Sequence, residues 1–148
     1  MKVETIAAVP GEHNLHNYED VSSDFNWADV EKEFSWSATG KVNMAYEAID
    51  RHAESDRKNK VALYYKDANR HEAYTFYEMK RMTNRAANVM KAHSDLEKGD
   101  RAFIFMPRSP ELYFAMFGAL KMGLIVGPLF EAFMEGAIYD RLDDSDAK

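Results

Sequence analysis

Cysteine is absent from the 148 residues, which excludes disulfides, thiolate nucleophiles and cysteine-ligated zinc together. Glycine is sparse. The seven present are not grouped, and neither a G-x-x-x-x-G-K-S/T loop nor a G-x-G-x-x-G turn occurs to cradle a phosphate. A clustered run of basic residues is lacking as well. Lys and Arg number 19 against 25 Asp and Glu, for a net charge of −6, and the two signs are mixed along the chain. That balance argues against a nucleic-acid module, which needs a concentrated basic face to neutralise phosphates. Long hydrophobic runs are missing too. Leu112 to Val126 is strongly apolar, but Lys121 and Gly123 interrupt it, and it falls short of the ~20 residues that span a bilayer. No basic stretch followed by an apolar core opens the chain, so no signal peptide is read. The expectation is a cytoplasmic protein without membrane contact.

Core-forming residues are plentiful, with nine Phe, eight Tyr and nine Met. A domain of about 150 residues buries roughly 68–70% of its unfolded surface, so a packed structure is expected for most of the chain. Residues 1–23, with Pro10-Gly11 and a polar His/Asn stretch, predict an extended arm. Asp24 is expected to cap a short helix bearing Trp27, Val30 and Phe34 on one face, with Trp36 at its end and a break at Gly40. Residues 1–40 are thus read as an N-terminal extension with a short helix, and 41–148 as a partial α/β subdomain.

Within 41–148 a helix is predicted from Asn43 through Ala45, Ala48, Ile49 and His52, with Glu47 and Arg51 as an exposed pair four residues apart. Ser55 to Lys60 is predicted as a solvated loop. Val61 to Lys66 and His71 to Tyr74 predict a β-hairpin around the turn Asp67-Ala68-Asn69. Thr75-Phe76-Tyr77-Glu78 fits a capping box, and the helix it opens carries Phe76, Met79, Thr83, Ala86 and Met90 on one stripe, ending near His93 or Ser94. From Gly99 to Leu142 the pattern is β-α-β-α. Ala102 to Met106 predicts a strand covered on both faces. Ser109 is expected to cap, and Pro110 to begin, an apolar helix over Leu112 to Met122, which Gly123 ends. Leu124 to Val126 then predicts a parallel strand reached by a right-handed crossover. A last helix starts near Met134 and carries Ile138 and Leu142. A parallel sheet wants more strands than these, so the fold class is α/β, an incomplete portion of a larger domain.

Candidate chemistry is thin. The histidines, His13, His16, His52, His71 and His93, show no ligand spacing on a helix face. Asp50-Arg51-His52 looks like catalytic machinery, but neighbours on a helix point in different directions, so packing is the expected role. Asp140, Asp143, Asp144 and Asp146 lack the central Gly and terminal Glu of a calcium loop. Arg108 and the start of the Ser109 helix offer an anion site, which Glu111 opposes. No catalytic residue and no metal ligand is assigned in this chain.

Four pieces in order carry a family resemblance. WSATGKVNMAYEAIDRH (Trp36 to His52) resembles a W-x-x-x-G-x-L/V-N-x-A-x-x-x-x-D-R-H signature, and YTFYEM (Tyr74 to Met79) a T-F/Y-x-E-L/M motif. MPRSPEL (Met106 to Leu112) resembles an M-P-x-x-P-E turn before a long buried helix, and LKMGLIVGPLF (Leu120 to Phe130) an L-K-x-G stretch leading to a strand and a proline. Together they resemble the N-terminal portion of AMP-forming acyl-CoA synthetases of the adenylate-forming superfamily, acetate–CoA ligases above all. The resemblance implies the large-domain fold of those enzymes. It also implies ATP, Mg and coenzyme A as cofactors, acetate or a short-chain carboxylate as substrate, and an acyl-adenylate intermediate, all for the complete enzyme. Its phosphate loop, ribose-binding Asp and C-terminal Lys match no position here, so the segment alone is expected to be an inactive fragment without bound cofactor, partnered by the remainder of the synthetase. Phe130-Glu131-Ala132-Phe133 aligns with an F-G-G-F segment that approaches the CoA nucleotide. Phe130 and Ala132 are therefore candidates for CoA proximity, with packing as the other reading of Phe130. A stand-alone binding or oligomerisation module derived from the same fold, with self-association, is the alternative.

Overall fold

A computed structural model describes residues 18–148; His13, His16 and the Pro10-Gly11 step lie outside them. The chain divides into two compact units, Met1–Thr39 and Gly40–Lys148.

The described part of the first unit holds three short helices, α1 (Tyr18–Asp24), α2 (Trp27–Glu31) and α3 (Trp36–Thr39). Two expectations change here. Residues 18–24 form a helix rather than the end of an extended arm, although none of them is buried. Asp24 closes that helix, and the cap of α2 is Asn26, whose side chain accepts from the Ala28 N–H at 2.9 Å. Asn26 has the extended backbone that a cap needs, which a residue inside α1 does not. Phe34 and Trp36 stack at 4.2 Å with an interplanar angle of 8°, while Trp27 stays 71% exposed.

The second unit opens with a wide helical turn. Tyr46–Asp50 is π-helical, with the Arg51 N–H bonded to the Tyr46 carbonyl five residues back, and continues into α4 (Arg51–Ala53). Glu47 is buried, so the expected exposed Glu47–Arg51 pair, at 3.4 Å, is instead largely withdrawn from solvent. Residues 56–59 form a 3-10 turn rather than a loop, because the Ser55 side chain accepts from the Arg57 N–H.

Strands β1 (Val61–Lys66) and β2 (His71–Thr75) pair antiparallel. The turn between them is fixed by Asp67, whose carboxylate accepts from the Asn69 and Arg70 N–H groups, each at 2.7 Å. Helix α5 (Phe76–His93) starts at a complete capping box between Thr75 and Glu78. Its stripe packs as the spacing predicts, with Met79 and Thr83 buried. β3 (Arg101–Phe105), α6 (Pro110–Lys121) and β4 (Ile125–Leu129) form a strand–helix–strand unit with a parallel pair, and α7 (Glu135–Ser145) follows.

Ile49, Met79 and Phe114 form the core cluster, with Leu63, Tyr74, Met82, Ala86 and Phe117 packed against it. The hairpin, the π-helical turn, α5 and α6 thus share one apolar centre. α5 and α6 meet closely at Gly118, where a Cβ would lie 2.9 Å from the Ala86 Cβ. Gly123 ends α6 at φ +79°, a left-handed position suited to glycine.

The parallel pair departs from expectation. Ile104 is buried, but Phe105 is 49% and Ile125 59% exposed. In register they share one face with Phe103. An apolar strand gains cover on both sides only when helices lie on both, and these two positions are left about half exposed.

Candidate functional site

Two of the quoted motifs meet in space. Asn43 donates from its side-chain amide to the carbonyls of Leu120 and Lys121, at 3.4 and 3.3 Å, and accepts the Tyr46 N–H on its Oδ1. The Leu120 carbonyl also accepts the Gly123 N–H at 3.0 Å, so the Asn43 amide adds to the closure of α6 while its oxygen starts the turn at Tyr46. The Lys121 ammonium then reaches Asp50 at 2.7 Å and the Asn84 Oδ1 at 2.6 Å. Asp50-Arg51-His52 therefore has structural partners throughout. Asp50 holds Lys121, Arg51 pairs with Glu47, and His52 packs on Phe76 with ring centroids 4.9 Å apart. Burial and the neighbouring Arg51 and Arg57 hold the His52 imidazole below its ordinary value.

A second knot joins the hairpin to the start of α6. Arg70 grips Glu72 through two nitrogens, at 3.0 and 2.9 Å, and reaches Glu111 at 3.1 Å. The Tyr74 hydroxyl donates to Glu72 at 2.7 Å. Both carboxyls are held below the ordinary glutamate range, Glu72 chiefly by Arg70 and Glu111 chiefly by the Ser109 hydroxyl. Ser109 has the cap's extended backbone, but its side chain makes no cap hydrogen bond. The hydroxyl is committed to Glu111 instead, and Glu111 takes its own backbone N–H. Ser109 thus occupies the cap position of α6 as expected, without the side-chain hydrogen bond to the first turn.

A cleft open to a ligand lies past the carboxyl ends of β3 and β4. Parallel strands finish side by side, so Met106 and Arg108 after β3 and Leu112 of α6 meet Pro128 and Leu129 at the end of β4 and Phe130 and Glu131 beyond it. They line an open cleft of about 250 Å³. In open α/β sheets this edge is where ligands bind. Phe130 is 52% exposed there and meets Phe133 edge-on at 5.8 Å. The Phe133 N–H bonds back to the Phe130 carbonyl, so the four residues form a tight turn that keeps Ala132 exposed. Arg141 from α7 covers the Phe133 ring at 4.2 Å. A half-exposed phenyl ring beside a small residue fits the flat face of a base. Arg108 joins Phe130 in this cleft, which the separate reading of the two segments missed. The signal was available in the parallel pairing, which brings the ends of both strands together.

Among the described residues, no group of three or more His, Asp and Glu could hold a metal ion. Asp146, from the acidic tail, pairs with Arg101 at 2.7 Å. Among the described residues, no helix is long and apolar enough to cross a membrane.

Fold and motifs together define an adenylate-forming architecture, and the chain belongs to the AMP-binding enzyme family, whose model matches residues 49–148. Over all 148 residues it is 66% identical to an acetyl-coenzyme A synthetase of Bacillus subtilis, spanning 26% of that protein. A Methanothrix thermoacetophila acetyl-coenzyme A synthetase is 38% identical over 111 residues, 74% of this chain and 17% of its own. Among solved structures, a Brucella canis acyl-CoA synthetase superposes with a TM-score of 0.78 at 32% identity, over 90% of this chain and 24% of that one. The chain thus spans between about a sixth and about a quarter of the length of these relatives. Its mixed α/β fold, with a hairpin and a parallel strand–helix–strand unit, is that of part of an acyl-CoA synthetase.

Proposed function

We propose that these residues are the N-terminal part of an ATP-dependent acetate or short-chain acyl–CoA ligase acting in the cytoplasm. The observation that carries this reading is the 66% identity to an acetyl-coenzyme A synthetase across the whole chain. When bound, ATP with Mg would activate the carboxylate as an acyl-adenylate, and the CoA thiol would take the acyl group. The contribution of residues 41–148 is scaffold plus one face toward CoA. Phe130 offers a ring for the nucleotide, and Ala132 allows closer approach than a larger side chain would. Glu131, beside them, opposes phosphate and keeps the nucleotide's charged end away from the turn. The chain carries no glycine-rich phosphate loop, so turnover depends on residues elsewhere in the polypeptide.

A chimaera tests this reading: the matching quarter of the Bacillus subtilis relative is replaced by this chain. The expected result is acetate-dependent ATP–pyrophosphate exchange and acetyl-CoA formation. In that chimaera Phe130→Ala raises KM for CoA and leaves KM for ATP unchanged. The 148 residues alone give no exchange. A folded but inactive chimaera, or exchange by the chain alone, overturns the reading.

Exposure of Phe105 and Ile125 on one face of the parallel pair favours a second reading, self-association through that face. Sedimentation of a stable, folded monomer at high concentration would exclude it.

A further inference from the structure

The outer side of α5 gathers what the linear sequence scatters. Arg81, Asn84, Arg85, Asn88 and Lys91 recur at three- and four-residue spacings, so they line one side of the helix. All five are exposed. Two open clefts, of about 490 and 450 Å³, run along this side and share Asn84 and Asn88. Their combined lining contains no Asp or Glu, in a chain whose net charge is −6.

Hydrogen-bond chemistry narrows the ligand. The Asn84 Oδ1 already accepts from Lys121, which leaves its amide to donate. Arg and Lys side chains only donate. Glu78, one turn before Arg81, is committed to Thr75. The groove is therefore rich in donors and suited to a ligand that accepts. Spacing narrows it further. One helical turn advances about 5.4 Å, and alternate residues of an extended chain advance about 6.6 Å. The mismatch of about 1.2 Å per contact lies within the reach of Arg and Lys. Carboxylates at every second position of an extended peptide thus fall opposite successive turns. From Arg81 to Lys91 the helix advances about 15 Å, the length of roughly five extended residues.

We propose that this side of α5 binds an extended acidic peptide segment of a partner protein, with Asp or Glu at alternate positions. A short segment ends where the basic groove ends, whereas a long polyanion would run onto a surface with an excess of carboxylates.

Fluorescence anisotropy with the 148-residue chain tests this, using a labelled peptide of four Glu-Ser repeats. At low salt, about 50 mM, binding is expected to be saturable and to weaken as salt is raised. A peptide of Gln-Ser repeats is expected not to bind. The Arg81→Gln/Arg85→Gln variant is expected to bind about fivefold more weakly or worse, and Lys66→Gln, on the hairpin, as wild type. Should the double variant lose its helical circular dichroism, Asn88→Asp reads the same groove by repulsion and is expected to weaken binding likewise. Three results overturn the proposal: no saturable binding, equal affinity of the folded groove variants and wild type, or preferential binding of inorganic polyphosphate or a single-stranded oligonucleotide of equal charge.

Discussion

The Lys121 ammonium lies 2.7 Å from the Asp50 carboxylate, and only 11% and 14% of the two side chains are exposed. That contact joins the D-R-H end of one motif to the L-K-x-G of another, 71 residues apart, and gives both a structural reason. Removing one partner of a largely buried pair leaves the other charge stranded, at a cost of about 3–5 kcal/mol when burial is complete. With some solvent left here, Lys121→Met is expected to destabilise the chain by about 2–3 kcal/mol in urea unfolding. Adding Asp50→Asn should cost less than the sum of the two single changes, because the stranded charge is then gone. Additive losses would show that the pair is not coupled.

Asn43 works beside this pair from the other end of the same motif. Its amide donates to two carbonyls of α6, and its oxygen holds the Tyr46 N–H. Asn43→Ala is expected to cost about 1–2 kcal/mol, the sum of a lost cap and the lost amide bonds to the end of α6. Asn43→Asp should keep the cap to Tyr46 but present like charge to the carbonyl end of α6. It is expected to recover little of the stability. Full recovery by Asp would mean that the contact to α6 contributes nothing.

Elements whose determinants are local in sequence were legible before the structure. The Thr75–Glu78 capping box, the Asp67 turn and the α5 stripe each depend on residues within a few positions of one another. What was not legible depends on distant partners. The Glu47–Arg51 spacing suits an exposed helical pair, and the burial of Glu47 within a π-helical turn is not written in that spacing. Ser109 has the right residue type for a cap, but Glu111 competes for its hydroxyl. At the candidate site, Phe130 could be singled out by its motif, while Arg108 joined it only once β3 and β4 were paired in parallel.

Gly118 sets the distance between α5 and α6. A Cβ there would meet the Ala86 Cβ at 2.9 Å and two backbone atoms, the Ala87 nitrogen and the Thr83 oxygen, each at 3.0 Å. Alanine gains up to about 1 kcal/mol of helix propensity over glycine. Backbone atoms cannot swing aside as a side-chain end can, so overpacking of about 1–3 kcal/mol outweighs that gain. Gly118→Ala is expected to lower Tm, and Gly118→Val to lower it further. An unchanged or higher Tm for Gly118→Ala would mean that the helices separate without loss.

Glu78 gives the capping box a pH signature. Its carboxylate accepts from the Thr75 N–H and from the Thr75 hydroxyl, both at 2.8 Å. These bonds, the backbone one foremost, hold its carboxyl below the ordinary value of 4.5. A carboxyl depressed by folding contributes stability that is fully present above its unfolded pKa and is lost as pH falls through its folded one. Glu78 is exposed, so solvent screening keeps the contribution to roughly 0.5–1 kcal/mol. At pH about 7, Glu78→Gln should therefore unfold at lower urea than wild type, because glutamine accepts a weaker, uncharged hydrogen bond. As pH falls below the ordinary glutamate value and then through the lower folded one, the wild-type carboxyl becomes protonated too, and the gap between the two proteins should close. Urea midpoints measured for both proteins across this range decide the matter. A gap that stays constant down to low pH would show that the loss comes from packing and not from the charge at the cap.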